Sequence, residues 1–460
     1  MNVWCKEILA LTATLLTMGT AQADLTAMER AQQFGIGDIR GIAYIPGPAG
    51  PEKPVDPYFG ADSTALPYFI GSIQTYNPQG QPYHLLDAKY TIYYDSDFYN
   101  QDFQRLWGTG SPGQEGRDDL GRYKTELNAN FVHLYDWNSD PSLRNHEPFL
   151  DYAQSLGMKV TIPVSNSIYQ LMCSSNPNDR DTARQRVAQI FRYVYGIGVL
   201  RRPMGAPHPA AGVLKIFNEF DVSQCKNAQH VAQVALWWRN LEVTNRIPDQ
   251  YRLPIIFPVT FGIKNGIAGG AVLDAFNAII STPGLGLDFW NARVIYATNP
   301  FNDGAFMKNW IETDLPAWFA SNNIPTDTPV VFTEYGRSSD ESNPPDETGQ
   351  AEWIKGQFQA MWQPKPTSVN FLGTCAFVNQ YRFWLQPPEP NFALTDFNQG
   401  GGAWNKPATM YVRAEQYLNP NAGERPASWG AKYQVDPQKP RPAYCEVARA
   451  YGAQPSAQCP

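Results

Sequence analysis

The sequence alternates between short apolar runs and segments with helical spacing, and the alternation repeats eight times along the chain. The apolar runs are rich in Val, Ile and Phe, which is typical of buried strands. In chain order they are Ile39–Gly47, Phe131–Trp137, Lys159–Ser165, Val213–Asp221, Leu253–Phe261, Ala292–Pro300, Pro329–Gly336 and Phe371–Tyr381. Strands that alternate with helices favour a parallel sheet, and eight such units predict an α/β fold of the (β/α)8 TIM-barrel type.

The rival fold is an open, doubly wound sheet. That fold usually carries a glycine-rich nucleotide loop after its first strand. Here the corresponding segment, Pro46–Pro54, reads PGPAGPEKP, and its prolines lack the N–H groups that a phosphate cradle needs. Two Pro- and Gly-rich stretches, about 48–115 and 385–440, are interpreted as long loop insertions after strand one and after strand eight. We therefore expect one catalytic domain over residues 24–460.

The N-terminus has the pattern of a secretory signal peptide. Lys6 precedes an apolar run, Ile8–Met18, and Ala21–Ala23 offers a small-x-small cleavage site. The pattern predicts a signal peptide over residues 1–23 and a secreted or periplasmic protein. The apolar run is too short to span a bilayer, and we expect no membrane span elsewhere.

Five cysteines remain after such a signal, and an oxidising compartment permits disulfides. We predict the pairs Cys445–Cys459, which closes a short loop, and Cys173–Cys225, which joins the segments after strands three and four. Cys375 lies in an apolar run and is expected to be a buried thiol. Sequence alone leaves the connectivity open.

Charge and composition exclude some partners. Lys and Arg number 36 against 43 Asp and Glu, so the formal net charge is −7. No block is rich in Lys or Arg, which disfavours a nucleic acid partner. No Cys/His spacing resembles a zinc site, and we expect no metal and no cofactor. We also expect a monomer.

Two apolar runs end on a carboxylate. Glu334 lies near the end of the seventh run, PVVFTEYG, and Glu219 lies near the end of the fourth, after Asn218. A buried carboxylate is costly unless it is paired. Because the C-terminal ends of barrel strands converge on one mouth, where active sites lie, Glu219 and Glu334 are expected to face each other there.

Paired carboxylates suit the cleavage of glycosidic bonds. One carboxyl group protonates the leaving oxygen, and the other attacks the anomeric carbon or activates water. Their environments must separate their pKa values. If the reaction retains configuration, the carboxylates should lie roughly 5–5.5 Å apart. Asn218 could hold a sugar hydroxyl, and Tyr296 is predicted to end the sixth strand and to donate to Glu334.

The Asn218–Glu219 pair and Glu334 resemble the site of the clan A retaining glycoside hydrolases. Within that clan, three segments are similar to the fungal β-1,3-glucanosyltransferases of glycoside hydrolase family 72: IRGIAYIPG, FVHLYDWNSDP and FTEYG. The resemblance covers the barrel core, about 40–340, and fails in the insertion 48–115 and in 385–460. It implies that Glu219 is the acid/base, that Glu334 is the nucleophile, and that the substrate is a glucan-type polysaccharide or oligosaccharide.

Further substrate-binding candidates lie at the predicted strand ends. They are Asn218, Tyr296, Tyr44, Tyr135, Asp136, Asn299 and Trp384. The sequence leaves hydrolysis and transglycosylation both open. The alternative to an enzyme is a catalytically inactive carbohydrate-binding or surface-interaction protein on the same scaffold. Loss of one of the two glutamates would be its simplest signature, and both are present.

Overall fold

The fold was analysed in a computed structural model of the chain. The structure describes 25–45, four short strands between 69 and 93, residue 99, 104–111, 114–137, 145–197, 205–223, 225–261, 267–339, 346–380, 389–397, 438–454 and 459. The predicted signal peptide lies outside these residues and stays a prediction. Among the described residues, no helix is both long and apolar enough to cross a membrane.

Eight parallel strands form the centre of the fold, and we number them β1 to β8. They are β1 Ile39–Ala43, β2 Phe131–His133, β3 Lys159–Val164, β4 Ala211–Ile216, β5 Ile255–Ile256 with Val259–Thr260, β6 Tyr296–Asn299, β7 Val330–Tyr335 and β8 Phe371–Ala376. Each pairs in parallel with the strand before and after it, and β1 pairs with β8. All eight predicted runs therefore contain a barrel strand.

The barrel closes through β5, which consists of two segments. The segment Ile255–Ile256 pairs with β4, and Val259–Thr260 pairs with β6. An isolated bridge from Ile255 to Val294 joins the first segment to the start of the β6 run as well. Pro258, which has no N–H to donate, lies between the segments and explains the interruption. The predicted (β/α)8 fold is confirmed by this closure.

Helices follow most strands and cover the outside of the barrel. The α-helices are Ala27–Gln33, Gln104–Trp107, Asp119–Glu126, Glu147–Ser155, Asn166–Cys173, Pro177–Tyr195, Ala228–Thr244, Ile267–Ser281, Leu287–Arg293, Gly304–Asn309, Leu315–Ser321, Glu347–Trp362 and Pro442–Ala450. A π-helical turn, Trp310–Asp314, continues Gly304–Asn309, and 3-10 turns span Phe220–Val222, Asp249–Tyr251 and Glu389–Phe392. The last helix packs on Glu347–Trp362. These helices bury the apolar outer faces of the strands.

The described parts of the predicted insertions contain short antiparallel strands. After β1 the pairs are Phe69–Ser72 with Thr91–Tyr93, Thr75–Tyr76 with Pro82–Tyr83, and Gly110–Ser111 with Gln114–Glu115. After β8, Thr395–Phe397 pairs with Gln438–Pro440. The remaining insertion residues lie outside the described ranges.

Covalent and ionic links tie the outer layer together. Both predicted disulfides, Cys173–Cys225 and Cys445–Cys459, are present, and Cys375 is a buried free thiol. A buried ion pair joins two helices, since the Arg293 guanidinium donates to both Glu242 carboxylate oxygens at 2.8 and 2.9 Å. Breaking such a pair leaves a buried charge without its partner, so it is important for stability.

Candidate active site

The ends of β4 and β7 meet across the barrel mouth. Asn218 follows β4, and its side-chain Nδ2 donates to Oε1 of Glu334 in β7 at 3.1 Å. Two strands, β5 and β6, separate β4 from β7 in the sheet, so this contact crosses the mouth. Glu219 is the next residue along the chain. The predicted convergence of Glu219 and Glu334 at one mouth is therefore present in the fold.

A β-bulge aims Glu334 into the mouth. From Phe332 to Tyr335 the chain advances three positions in β7, while the paired residues advance only two in β8, so the register shifts between them. The Phe332 ring packs on Trp310, and the Tyr335 ring packs on Phe358, so both point to the helix layer. If the side chains of β7 alternated strictly, two outward-facing residues would have only one inward-facing residue between them. With the bulge, Thr333 and Glu334 both serve the site.

An unusual backbone conformation presents Glu219. Phe217 and Glu219 both adopt left-handed conformations, with φ of 62° and 50°, which non-glycine residues seldom do. Between them, the Asn218 N–H donates to Asn166 Oδ1, and Asn166 Nδ2 donates back to the Asn218 carbonyl, both at 2.8 Å. Strained backbone persists only where its surroundings hold it, and it clusters at functional sites.

Asn299 holds the Glu219 side chain. Its Nδ2 donates to Glu219 Oε1 at 2.8 Å, and its Oδ1 accepts from the Thr333 hydroxyl at 2.6 Å. The first bond favours this orientation of the amide, because an ionised carboxylate only accepts hydrogen bonds and Nδ2 only donates them. Asn299 was predicted to contact sugar from the end of β6. The structure places it in the site as a partner of Glu219.

Asp221 anchors the loop that carries Glu219. Its carboxylate accepts from the Thr260 backbone N–H at 3.2 Å and from the Thr260 hydroxyl. Thr260 ends β5, so the loop after β4 is fastened to the neighbouring strand. This anchoring restricts how far Glu219 can move.

Burial and a neighbouring charge perturb Glu334. The residue is only 5% exposed. Burial, followed by the negative charge of Glu219, raises the pKa of Glu334 to about 8, while Lys215, Tyr135 and Asn218 act to lower it. A carboxyl group with opposing influences of this size is typical of catalytic sites.

Lys215 is a site residue that the sequence reasoning missed. It is fully buried in β4, its Nζ lies 3.4 Å from His133 Nε2, and it lies 4.6 Å from the centre of the Tyr135 ring. Its charge also acts on Glu334 of β7 and on the Cys375 thiol of β8. Side chains from β2, β4, β7 and β8 can meet only inside the barrel, so Lys215 lies inside it, beneath the mouth. The signal was visible: a lysine inside the apolar run AGVLKIF.

His133 is neutral in this environment. Burial and the positive charge of Lys215 hold the pKa of His133 well below its ordinary value. A neutral imidazole can accept a hydrogen bond from the ammonium group through Nε2. Of these two side chains, Lys215 therefore carries the positive charge beneath the mouth, and His133 carries none.

The prediction for Tyr296 is wrong. Tyr296 begins β6 and does not end it, and its buried ring packs on Trp310 and Phe319 of the helix layer. Among the described residues, the tyrosine whose hydroxyl acts on Glu334 is Tyr135, which follows β2. The tyrosine partner of the carboxylate thus comes from the opposite side of the barrel.

The remaining candidates have different locations. Tyr44 follows β1 as predicted, but it is fully buried and its hydroxyl donates to Asp119 at 2.8 Å. Tyr44 therefore supports the end of β1 and offers no free face to a sugar. Tyr135 borders Glu334. Asp136, the next residue along the chain, is 9% exposed, and its contact with sugar stays a prediction. Trp384 lies outside the described residues.

Fold and site together define a (β/α)8 barrel with a carboxylate pair at its mouth. No protein-family model matches the sequence, and no curated protein matches it. Similar solved structures include Gas2p of Saccharomyces cerevisiae in complex with laminaritriose and laminaritetraose, at 12% identity and a TM-score of 0.42, over 92% of this chain and 70% of that chain.

Two bacterial structures are also similar. One is a GH128 endo-β-1,3-glucanase from Pseudomonas viridiflava, at 14% identity and a TM-score of 0.36, over 67% of this chain and 93% of that chain. The other is a GH5-4 endoglucanase from Ruminococcus champanellensis with bound cellotriose, at 12% identity and a TM-score of 0.39, over 65% of this chain and 87% of that chain. All three TM-scores are below 0.5, so these similarities carry no argument about this chain. The strand pairing shows the barrel, and the side chains at its mouth indicate the chemistry.

Proposed function

We propose that the protein is a retaining glycoside hydrolase or transglycosylase that cleaves β-linked glucan with Glu334 as nucleophile and Glu219 as acid/base. The observation that carries this proposal is the contact of Asn218 with Glu334, which joins the ends of β4 and β7 beside Glu219. The glucan substrate is proposed from the motif resemblance in the first, second and seventh runs. The signal-like N-terminus and the two disulfides support a secreted or periplasmic location.

The pair must hold one proton in the working state. If both carboxyl groups were ionised, their charges would oppose each other, and this repulsion contributes to the raised pKa of Glu334. With the proton on Glu219, that repulsion disappears and Glu334 ionises more readily. Lys215, Tyr135 and Asn218 then favour the ionised form of Glu334. This arrangement supplies a protonated acid and an ionised nucleophile.

The reaction would follow a double displacement. In the first step, a carboxylate oxygen of Glu334 bonds to the anomeric carbon while the bond to the leaving oxygen breaks, and Glu219 gives its proton to that oxygen. In the second step, Glu219 takes a proton from water or a sugar hydroxyl. The resulting oxygen bonds to the anomeric carbon, and the bond to Glu334 breaks.

Product analysis tests the proposal directly. The purified protein is incubated with β-1,3-, β-1,4- and β-1,6-linked glucans and with mannans, beside Glu334→Gln and the matched variant Glu352→Gln, which changes an exposed glutamate on an outer helix. We expect products from a β-glucan with wild type and Glu352→Gln only. Products longer than the starting oligosaccharide would indicate transfer, and shorter ones hydrolysis.

The roles of the two glutamates are separated by a second measurement. Glu219→Gln should retain attack on an aryl glycoside with a good leaving group, because that step needs little acid assistance, and added azide should speed the second step. The first-formed sugar product should keep the β configuration by NMR. An inverted product would contradict the proposal, and equal glycan binding without turnover by all variants would favour a binding protein.

A further inference from the structure

A buried glutamine on an outer helix reaches the loops at the barrel mouth. Gln357 lies in the helix Glu347–Trp362 and is fully buried. Its side-chain Nε2 donates to the Asn302 carbonyl at 2.8 Å and to the Gly336 carbonyl at 3.2 Å. The two hydrogens of one amide group therefore join the loop after β6 to the loop after β7.

Each of these loops follows a residue of the candidate active site. Gly336 lies two residues after Glu334, and Asn302 lies three residues after Asn299. Asn299 in turn donates to Glu219 Oε1 at 2.8 Å. The amide group is thus linked, over two or three residues of backbone, to one carboxylate and to the side chain that orients the other.

Close packing keeps both loops next to Gln357. Gly304 begins the helix after the β6 loop, and a β-carbon there would clash with the carbonyl oxygen of Gly356, the residue before Gln357. A β-carbon on Gly336 would clash with the Phe377 carbonyl oxygen on its other side. This packing leaves little room for either loop to shift relative to the amide group.

The amide group of Gln357 is present at a cost in stability. Because Nε2 faces two carbonyl groups, Oε1 points the other way, and among the described residues no donor reaches it. A buried polar atom without a partner destabilises the fold. An apolar side chain of similar length would avoid this cost but would leave the two loops without their link. The bonds to the loops therefore account for an amide at this position.

We propose that Gln357 is a positioning residue, which from outside the barrel fixes the position of Glu334 relative to Asn299. Since Asn299 orients Glu219, both carboxyl groups depend on the same amide. The inference rests on the proposed function, because a reaction that uses both groups is sensitive to their separation. Gln357 is fully buried and cannot contact a substrate, so its loss should slow the chemical step and leave binding nearly unchanged.

Covalent labelling measures the position of the nucleophile directly. With 2-deoxy-2-fluoro-β-laminaritriosyl fluoride, a carboxylate oxygen of Glu334 bonds to the anomeric carbon as fluoride leaves, and the fluorine at C2 slows the second step. Intact mass gives the labelled fraction and its rate. Gln357→Met keeps the approximate size of the side chain and removes both donors. We expect complete labelling, a maximal rate about tenfold below wild type, and a half-saturating concentration within about twofold.

Two other glutamines of the same helix provide matched controls. Gln359→Met makes the same change on an exposed side chain and should leave the labelling rate at the wild-type value. Gln350 is also buried, but its Nε2 donates to the Arg337 and Asn391 carbonyls, so it links the loops after β7 and β8. Gln350→Met should slow labelling by less than about threefold. Equal slowing by Gln350→Met and Gln357→Met would indicate a general loosening of the helix and overturn the proposal.

A conservative variant gives a second comparison if Gln357→Met does not fold. Gln357→Glu keeps the shape of the side chain, and at pH 5 its buried carboxyl group should stay protonated and donate to one of the two carbonyls. We expect labelling roughly threefold slower than wild type. An unchanged rate in the folded variants would overturn the role of Gln357 and leave the proposed function standing. A wild type that is neither labelled nor active on any glucan would overturn both together.

Discussion

Replacing Glu334 by Gln should stabilise the folded protein at neutral and alkaline pH. Glu334 is almost fully buried, and burial together with the charge of Glu219 raises its pKa to about 8. Gln keeps the oxygen that accepts from Asn218 and cannot ionise. The variant therefore retains the hydrogen bond and removes the buried negative charge.

The sign and size follow from proton linkage. Below the unfolded pKa, both states hold the proton and the two proteins differ little. Between about 4.5 and about 8 the unfolded wild type releases a proton that the folded Glu219–Glu334 pair keeps, so wild type loses stability as pH rises. One pKa unit corresponds to about 1.4 kcal/mol, which sets an upper limit of about 5 kcal/mol. Because a buried amide also costs free energy, we expect a gain of roughly 2–4 kcal/mol at pH 9.

Urea denaturation of wild type and Glu334→Gln at pH 5, 7 and 9 measures this difference. The free energy gained by the variant should be small at pH 5 and largest at pH 9. Glu352→Gln, on an exposed surface, is the matched control and should show no such trend. Equal stabilities at pH 9, or a difference independent of pH, would refute the claim that a buried, unfavourable charge sits at Glu334.

Three other changes probe the neighbours of the carboxylate pair and the outer layer. Lys215→Met should move the pH at which Glu334 ionises upward by about one unit or more, so the acidic limb of kcat/KM on an aryl glycoside shifts to higher pH; an unshifted limb would exclude an electrostatic role. Asn299→Ala should lower kcat/KM by roughly 10- to 100-fold, because Glu219 loses the hydrogen bond that orients its side chain; a change below about twofold would contradict this role. Arg293→Met should lower the free energy of unfolding by about 3–5 kcal/mol in urea, since it breaks a buried ion pair; a loss below about 1 kcal/mol would place that pair among weak surface contacts.

The barrel and the positions of Glu219 and Glu334 could be predicted because they depend on local pattern and chain order. Each apolar run marks a strand, and a parallel barrel forces the carboxyl ends of those strands to one mouth. The disulfide Cys173–Cys225 was predictable for the same reason, since adjacent strands place their following loops side by side. None of these inferences needed a side-chain orientation.

The errors concern orientation, which depends on register. Tyr296 was assigned to the end of its run, but the paired part of β6 starts at that residue, so its ring faces the helices. The bulge in β7 is set by the pairing with β8 and has no signature in VVFTEY. The left-handed conformations at Phe217 and Glu219 could not be predicted from the sequence either, because neither position is a glycine or an asparagine. Lys215, in contrast, could have been found as a charge within an apolar strand.

Several unfavourable features of the fold lie at the ends of β4 and β7, and they bear on the choice between an enzyme and a binding protein. Two left-handed residues, a bulge and a buried carboxyl group with a raised pKa all lie at the ends of β4 and β7. Each costs stability, and each is held by a specific partner, such as Asn166 for the loop or Lys215 for the charge. A protein that only bound sugar would have no use for a buried carboxyl group beside a second one. Retaining glycoside cleavage requires that pair, so the costly burial of Glu334 beside Glu219 favours catalysis.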